Sequence, residues 1–176
     1  SPDGRPMDLE KFTERARGFI ENAQSLALRS NHQQLASLHL LRVLLDDREG
    51  LAAGLIGRAG GDAARLSEAV AAELEKIPRV EGAGAGQVYL APETARVLDQ
   101  AGTLALKAGD SYVTVEYLLL ALAMVPDTPA AKLFARQGLS TQKLNQAIND
   151  FRKGRTATSA RAEDSYDALK KYARDL

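Results

Sequence analysis

Small and apolar residues recur along this chain with the period of a helix, and the whole pattern then recurs as a block. Phe19, Ala23, Leu26 and Ala27 stand at i, i+4, i+7 and i+8, which lines one helix face. Val97, Ala101, Leu104 and Ala105 lay out that face again, 78 residues later. The offset holds without a gap from Phe12 to Ala72. Leu40, Leu41 and Leu44 meet Leu118, Leu119 and Leu122, and Ala52, Ala53 and Leu55 meet Ala130, Ala131 and Leu133. Arg58 and Gly60 meet Arg136 and Gly138, and Leu66 and Ala69 meet Leu144 and Ala147. A register kept through helices and loops alike marks an internal duplication.

The pattern predicts four helices per copy: about 14–30, 38–46, 52–59 and 63–76, then 92–108, 115–125, 129–137 and 141–152. Thr13 suits an N-cap, and its repeat mate Ala91 precedes Pro92, a residue favoured at the first helical position. Ser37 and Thr114 precede LHLLRVLL and VEYLLLAL, where a hydroxyl can cap free N–H groups. Gly60 and Gly138 suit the left-handed residue that ends a helix. The expected fold is all-α. Two tandem four-helix repeats, about 12–77 and 90–153, are related by a pseudo-twofold axis, and their seam offers a concave site.

Three alternating glycines in PRVEGAGAGQVY, residues 78–89, predict a mobile linker between the copies. After Gly154 the stretch RTATSARAED holds no apolar residue larger than Ala, so 154–176 is predicted to be a flexible linker. From Ser165 it reads as a short helix or the start of a further domain. At the other end SPDGRP cannot be helical. Met7 reads as the natural start and residues 1–6 as an expression-tag remnant.

Composition narrows the function classes. Apolar residues make up 45% of the chain but aromatics only 5%, and 23 basic side chains balance 23 acidic ones. A neutral chain has no bulk attraction for nucleic acid or anionic lipid. Without cysteine there is no disulfide, thiolate metal site or Cys nucleophile. No apolar run approaches the ~20 residues that span a bilayer, and Lys11, Arg15 and Arg17 interrupt any signal-peptide core. The expected location is cytoplasmic.

Enzymatic chemistry finds no support. GAGAG from Gly82 lacks the Lys-Ser or Lys-Thr of a phosphate loop. His32 and His39 are the only histidines and lack obvious partners for zinc, which takes about three or four ligands. His39 matches Tyr117, which points to half-buried packing. Asp46, Asp47 and Glu49 read as a solvated loop, and Arg152, Lys153, Arg155 and Arg161 as a mildly basic tail without interleaved aromatics.

NAQSLAL, LHLLRVLL, RAGGDAARL and RQGLSTQKL resemble the repeat of the Clp N-terminal domain. IPRVEGAG from Ile77 and YDALKKYARDL from Tyr166 are similar to the ClpB, or disaggregase, branch, so that the resemblance covers Met7 to Leu176. It implies a domain at 7–153 and a linker at 154–176 leading to a first ATPase domain outside this chain. It further implies the N-domain of a hexameric AAA+ chaperone. Such a domain binds unfolded or aggregated polypeptide through an apolar groove and delivers it to an ATP-driven threading ring, in partnership with an Hsp70-type system. The domain itself would be monomeric and would bind no cofactor, ATP and magnesium belonging to the ATPase domains. It would have no nucleic-acid or membrane partner.

The resemblance places substrate-binding roles on Thr13, Asp110 and Glu116, with Leu98, Gln100 and Tyr117 as groove neighbours. Gln100 departs from the apolar residue expected there. Each polar residue also has a plain structural reading. Thr13 is an N-cap, Asp110 closes a turn after Gly109, and Glu116 favours a helix dipole. In the binding role, the loss of either acid weakens client binding and leaves folding nearly intact. The alternative function is an adaptor-docking module that takes one folded partner, and a structural spacer is the third.

Overall fold

The computed structural model describes residues 8–82 and 86–166, with side chains to Asp164. The ends of all eight expected helices lie within one residue of their predicted positions. The first copy holds α1 (Glu14–Arg29), α2 (Ser37–Leu45), α3 (Leu51–Arg58) and α4 (Ala63–Glu75), and the second α5 (Pro92–Lys107), α6 (Val115–Met124), α7 (Pro129–Arg136) and α8 (Thr141–Arg152). Thr13 caps α1, its Oγ1 accepting the Ala16 N–H at 3.1 Å, and Pro92 opens α5 after Ala91. Gly60 and Gly138 adopt positive φ, 88° and 69°, where a Cβ would be strained.

Ser37 does not cap α2 as expected. It is the first residue of the helix, behind Ala36. Its hydroxyl is occupied across the repeat boundary, where Oγ accepts the Ala130 N–H of α7 at 3.3 Å. Thr114 does stand at the N-cap of α6, but its hydroxyl accepts from Arg152 instead of from the helix.

The repeats exchange short strands. The parallel pair β1 (Gln34–Leu35) and β2 (Tyr89–Leu90) joins the α1–α2 loop to the segment entering α5. Its counterpart by the 78-residue offset is the Phe12–Val113 bridge, which joins the segment entering α1 to the α5–α6 loop. The bond partners correspond as well. Ala91 N–H donates to Leu35 O at 3.2 Å, and Thr13 N–H donates to Val113 O at 3.0 Å. Each copy thus completes the other, which is the pseudo-twofold relation written in backbone hydrogen bonds.

One core serves both copies. Residues Val115 to Ala123 of α6 are all buried, and α2 is nearly as enclosed. Helix contacts cross the boundary in matched pairs, α2 on α7 with α6 on α3, and α4 on α7 with α8 on α3. The centre of the seam is therefore filled with side chains. Burial is equivalent at matched positions: Leu40 with Leu118, Leu55 with Leu133, and Leu66 with Leu144 are all enclosed. No single helix among the described residues is long and apolar enough to cross a membrane.

The linker between copies is tied at both ends. Val80 N–H donates to Asn31 O at 2.8 Å, and Tyr89 N–H donates to Gln33 O at 2.8 Å. The mobility expected of its glycine-rich centre falls on residues 83–85, outside the described residues. The segment after Gly154 departs from expectation. It returns to the domain as a strap, and Ala157 is wholly buried. Polar composition did not free it, because the strap is held through its backbone and through Glu163 more than by apolar burial. Tyr166 to Leu176, the joining string of the resemblance, lies beyond the residues whose side chains are described.

Candidate functional site

The α5–α6 loop turns sharply at Gly109, φ 81°, and Asp110 N–H returns to Ala105 O at 2.9 Å. The turn directs Asp110 towards the last turn of α8, and the first turn of α6 presents Glu116 beside it. Arg152, at the end of α8 and 4% exposed, lies between the two acids. Its Nη1 donates to Asp110 Oδ1 at 3.0 Å and to Arg155 O at 2.9 Å. Its Nη2 donates to Asp110 Oδ2 and, at 3.1 Å, to Thr114 Oγ1, while Nε donates to Glu116 Oε1. Every N–H of the guanidinium fork has an acceptor. Burial alone would favour loss of the proton, but hydrogen bonds and charge from Asp110 and Glu116 outweigh it and hold Arg152 firmly cationic. The Tyr117 ring lies under the guanidinium, 5.1 Å from centroid to Cζ.

The strap closes over this cluster. Ser111 N–H donates to Ala157 O at 2.8 Å, Ala157 N–H to Asp110 Oδ1 at 2.8 Å, and Glu14 N–H to Ala160 O at 2.7 Å. Glu163, in the short 3-10 turn Ala162–Tyr166, accepts the Val115 N–H at 2.9 Å and so satisfies an otherwise free donor at the start of α6. Burial pushes the Glu163 carboxyl up from the ordinary range. Hydrogen bonds from Thr13 and Val115 oppose this, and the nearby Glu116 charge adds to it.

Thr13, Asp110, Glu116 and Tyr117 are thus brought to one place, and all are buried, at 0%, 5%, 0% and 6% exposure. Leu98 and Gln100 are not part of it. Leu98 packs half-buried on the core. Gln100 Nε2 lies 3.9 Å from Met124 Sδ, at the opposite end of α6 from Glu116.

The partner that sequence reasoning missed is Arg152, which had been counted only with the basic tail. Its position on the α8 face was a usable signal, since it stands four residues after Ile148 and lies buried with it. Glu163 was also missed, and the repeat explains its role. At the start of α2 in the first copy, the Ser37 N–H donates to Glu93 Oε1 of α5, from the second copy, at 2.7 Å. The residue matching Glu93 is Arg15, which cannot accept, and the residue matching Ser37 is Val115. The strap supplies the missing carboxylate.

At the matching place in the first copy stands a neutral pair. His32 matches Asp110 and His39 matches Tyr117. His32 Nδ1 and His39 Nε2 are 2.8 Å apart, and Ala36 N–H donates to His39 Nδ1 at 2.9 Å. The histidines are therefore each other's partners, and His39 is fully enclosed, not half-buried. Among the described residues no group of three acidic or His side chains could hold a metal.

A sequence model of the Clp repeat (R) N-terminal domain matches residues 11–137 and 101–164. The chaperone protein ClpB of Rhodopseudomonas palustris is 61% identical over 170 residues, which is 97% of this chain and 19% of that protein. The chain thus spans about a fifth of the length of that relative. The crystal structure of the Hsp104 N-terminal domain from Candida albicans superposes with a TM-score of 0.75 at 26% identity, covering 87% of this chain and 99% of that one. The ClpV N-domain, solved in complex with a VipB peptide, shares the fold at a TM-score of 0.65 and 19% identity, covering 84% of this chain and 92% of that one. The chain belongs to the Clp repeat N-terminal domain family, in its ClpB-type branch.

Proposed function

We propose that this domain binds unfolded or aggregated polypeptide and passes it to an ATP-driven threading ring carried elsewhere in the full-length protein. The carrying observation is the 61% identity to a ClpB chaperone along nearly the whole chain. Two features support it. The ClpV N-domain, of the same fold, has been solved with a peptide. The domain also leaves large apolar side chains on its surface: Leu28 at 46%, Leu106 at 77%, Tyr89 at 57% and Met124 at 39% exposure. Leu28 and Leu106 are repeat mates, so the duplication places an uncovered leucine near the end of α1 and again near the end of α5.

Binding to one small domain is weak, because little area is buried and the client loses conformational freedom. Several copies in a ring would compensate through effective concentration. No nucleotide or metal is needed at this step, and an Hsp70-type partner would act on the full-length protein. Fluorescence anisotropy with a labelled model protein, titrated once unfolded and once folded, tests the reading. Saturable binding of the unfolded form alone is expected. Preference for the folded form would indicate an adaptor-docking module instead.

A further inference from the structure

The strap is held largely through its backbone, as a bound client chain would be. Between Arg155 and Asp164 the contacts to the domain that use strap backbone include Ser111 and Tyr112 N–H to Ala157 O, Ala157 N–H to Asp110 Oδ1, Glu14 N–H to Ala160 O and Arg152 Nη1 to Arg155 O. Backbone groups carry no sequence information, so any extended polypeptide can make the same bonds. The methyl group of Ala157 is wholly enclosed, which sets a size limit at that point.

The strap is also a costly occupant. It offers no apolar side chain larger than Ala over residues 155–164. It carries Glu163, 1% exposed, into a cluster that already holds Asp110 and Glu116, while the fork of Arg152 is committed to other acceptors. Glu116 Oε2 is buried without a hydrogen-bond partner among the described residues, so acceptor capacity is left over.

We propose that residues 155–164 occupy, in cis, the cleft in which this domain grips an extended polypeptide. A client segment with a small residue at the place of Ala157 must displace the strap to reach Thr13, Asp110 and Glu116. This deepens the polypeptide-binding reading and rests on it. It accounts for how side chains buried here could meet a client, and it makes strap release the step that controls access.

The test uses the 176-residue chain and fluorescein-labelled casein, a natively unfolded polypeptide. Ala157→Pro removes the N–H given to Asp110, and Glu163→Ala removes the carboxylate that satisfies Val115. Both variants should bind casein roughly 3–10-fold more tightly than the native chain, since apparent affinity scales with the open fraction. Saturating the native chain with casein should strip the strap's own Ala157 amide, bonded to Asp110 in the closed state, of hydrogen-exchange protection. If Ala157→Pro fails to fold, Glu163→Ala and the exchange measurement decide. Natively folded variants that bind casein no more tightly than the native chain overturn the proposal, as does an Ala157 amide that stays protected while casein is bound. Failure of the native chain and both variants to bind casein at all would instead bring down the polypeptide-binding reading, and the strap proposal with it.

Discussion

Arg152 grips Asp110 at two points, Nη1 on Oδ1 and Nη2 on Oδ2, with the guanidinium 4% exposed and the carboxylate fully enclosed. Removing one partner of such a pair strands a buried charge, which costs about 3–5 kcal/mol. Arg152→Met should therefore lower the melting temperature by on the order of 10 °C in a domain of this size. Asp110→Ala should be similarly damaging. The burial of this pair argues against losing either acid with folding nearly intact. Thermal melts followed by circular dichroism check it; native-like melting of Arg152→Met would show the pair to be dispensable.

Glu163 gives stability an unusual pH slope at the strap. Its carboxyl is pushed up by burial, with Thr13 and Val115 opposing and Glu116 adding to the rise. A folded pKa above the unfolded value contributes stability that is fully present below the unfolded pKa and is lost as pH rises through the folded one. Glu163→Gln keeps an acceptor for Val115 and removes the charge. Its stability relative to the native chain should grow as pH rises from 4 towards 8, read from paired melts. A constant difference across that range would assign Glu163 no titrating role.

The first copy should respond in the opposite sense. The Ala36 N–H on Nδ1 makes His39 Nε2 the protonated nitrogen, donating to His32 Nδ1. Burial first, and His32 second, lower the His39 pKa to about 4. The unfolded chain then binds a proton more readily than the folded one as pH falls from about 6.5 to 4. Stability should decline over that interval by roughly 3 kcal/mol. Urea unfolding at pH 7 and pH 4.5 measures the decline. His39→Tyr, which places the second copy's residue in the first, should flatten it.

The helices were legible because small and apolar residues at helical spacing need no distant partner to be recognised, and Thr13 and Pro92 mark their starts from neighbouring residues alone. The internal duplication was legible because its register survives the loops. What could not be read was contact between distant segments. Arg152 meets Asp110 across 42 residues and Glu163 meets Val115 across 48. No local pattern announces either. The His32–His39 pair spans only seven residues, but it depends on the Asn31 turn, φ 57°, bringing both rings inward. The strap misled for a related reason. Composition reports how much apolar area a segment can bury, and this segment is fixed by backbone hydrogen bonds and one carboxylate.

Nucleotide should not bind this chain. It lacks a glycine-rich loop followed by Lys-Ser or Lys-Thr, the arrangement that cradles phosphate. Among the described residues no cluster could hold magnesium beside one. Isothermal calorimetry with ATP and magnesium should show only heats of dilution. A saturable heat would require a phosphate site that neither the sequence nor the described fold displays.

Leu28 and Leu106 separate folding from client binding more cleanly than the buried acids do. At 46% and 77% exposure they contribute little to the core, and Leu106 could become polar with almost no loss of packing. Burying each leucine against an apolar client segment would be worth on the order of 1 kcal/mol, a fraction of the full transfer value because the contact is one-sided. Leu28→Glu and Leu106→Glu should each leave the melting temperature within a few degrees of native and weaken binding of an unfolded polypeptide roughly 3–10-fold. The double variant should approach the product of the two only if both leucines touch one client chain, so its anisotropy titration reports whether the repeat mates form one surface or two. Salt discriminates the physics. Apolar contact persists from 0.05 to 0.5 M salt, whereas binding driven by exposed charge falls away over about that range. Binding that collapsed with salt and ignored both substitutions would remove the apolar surface from the mechanism.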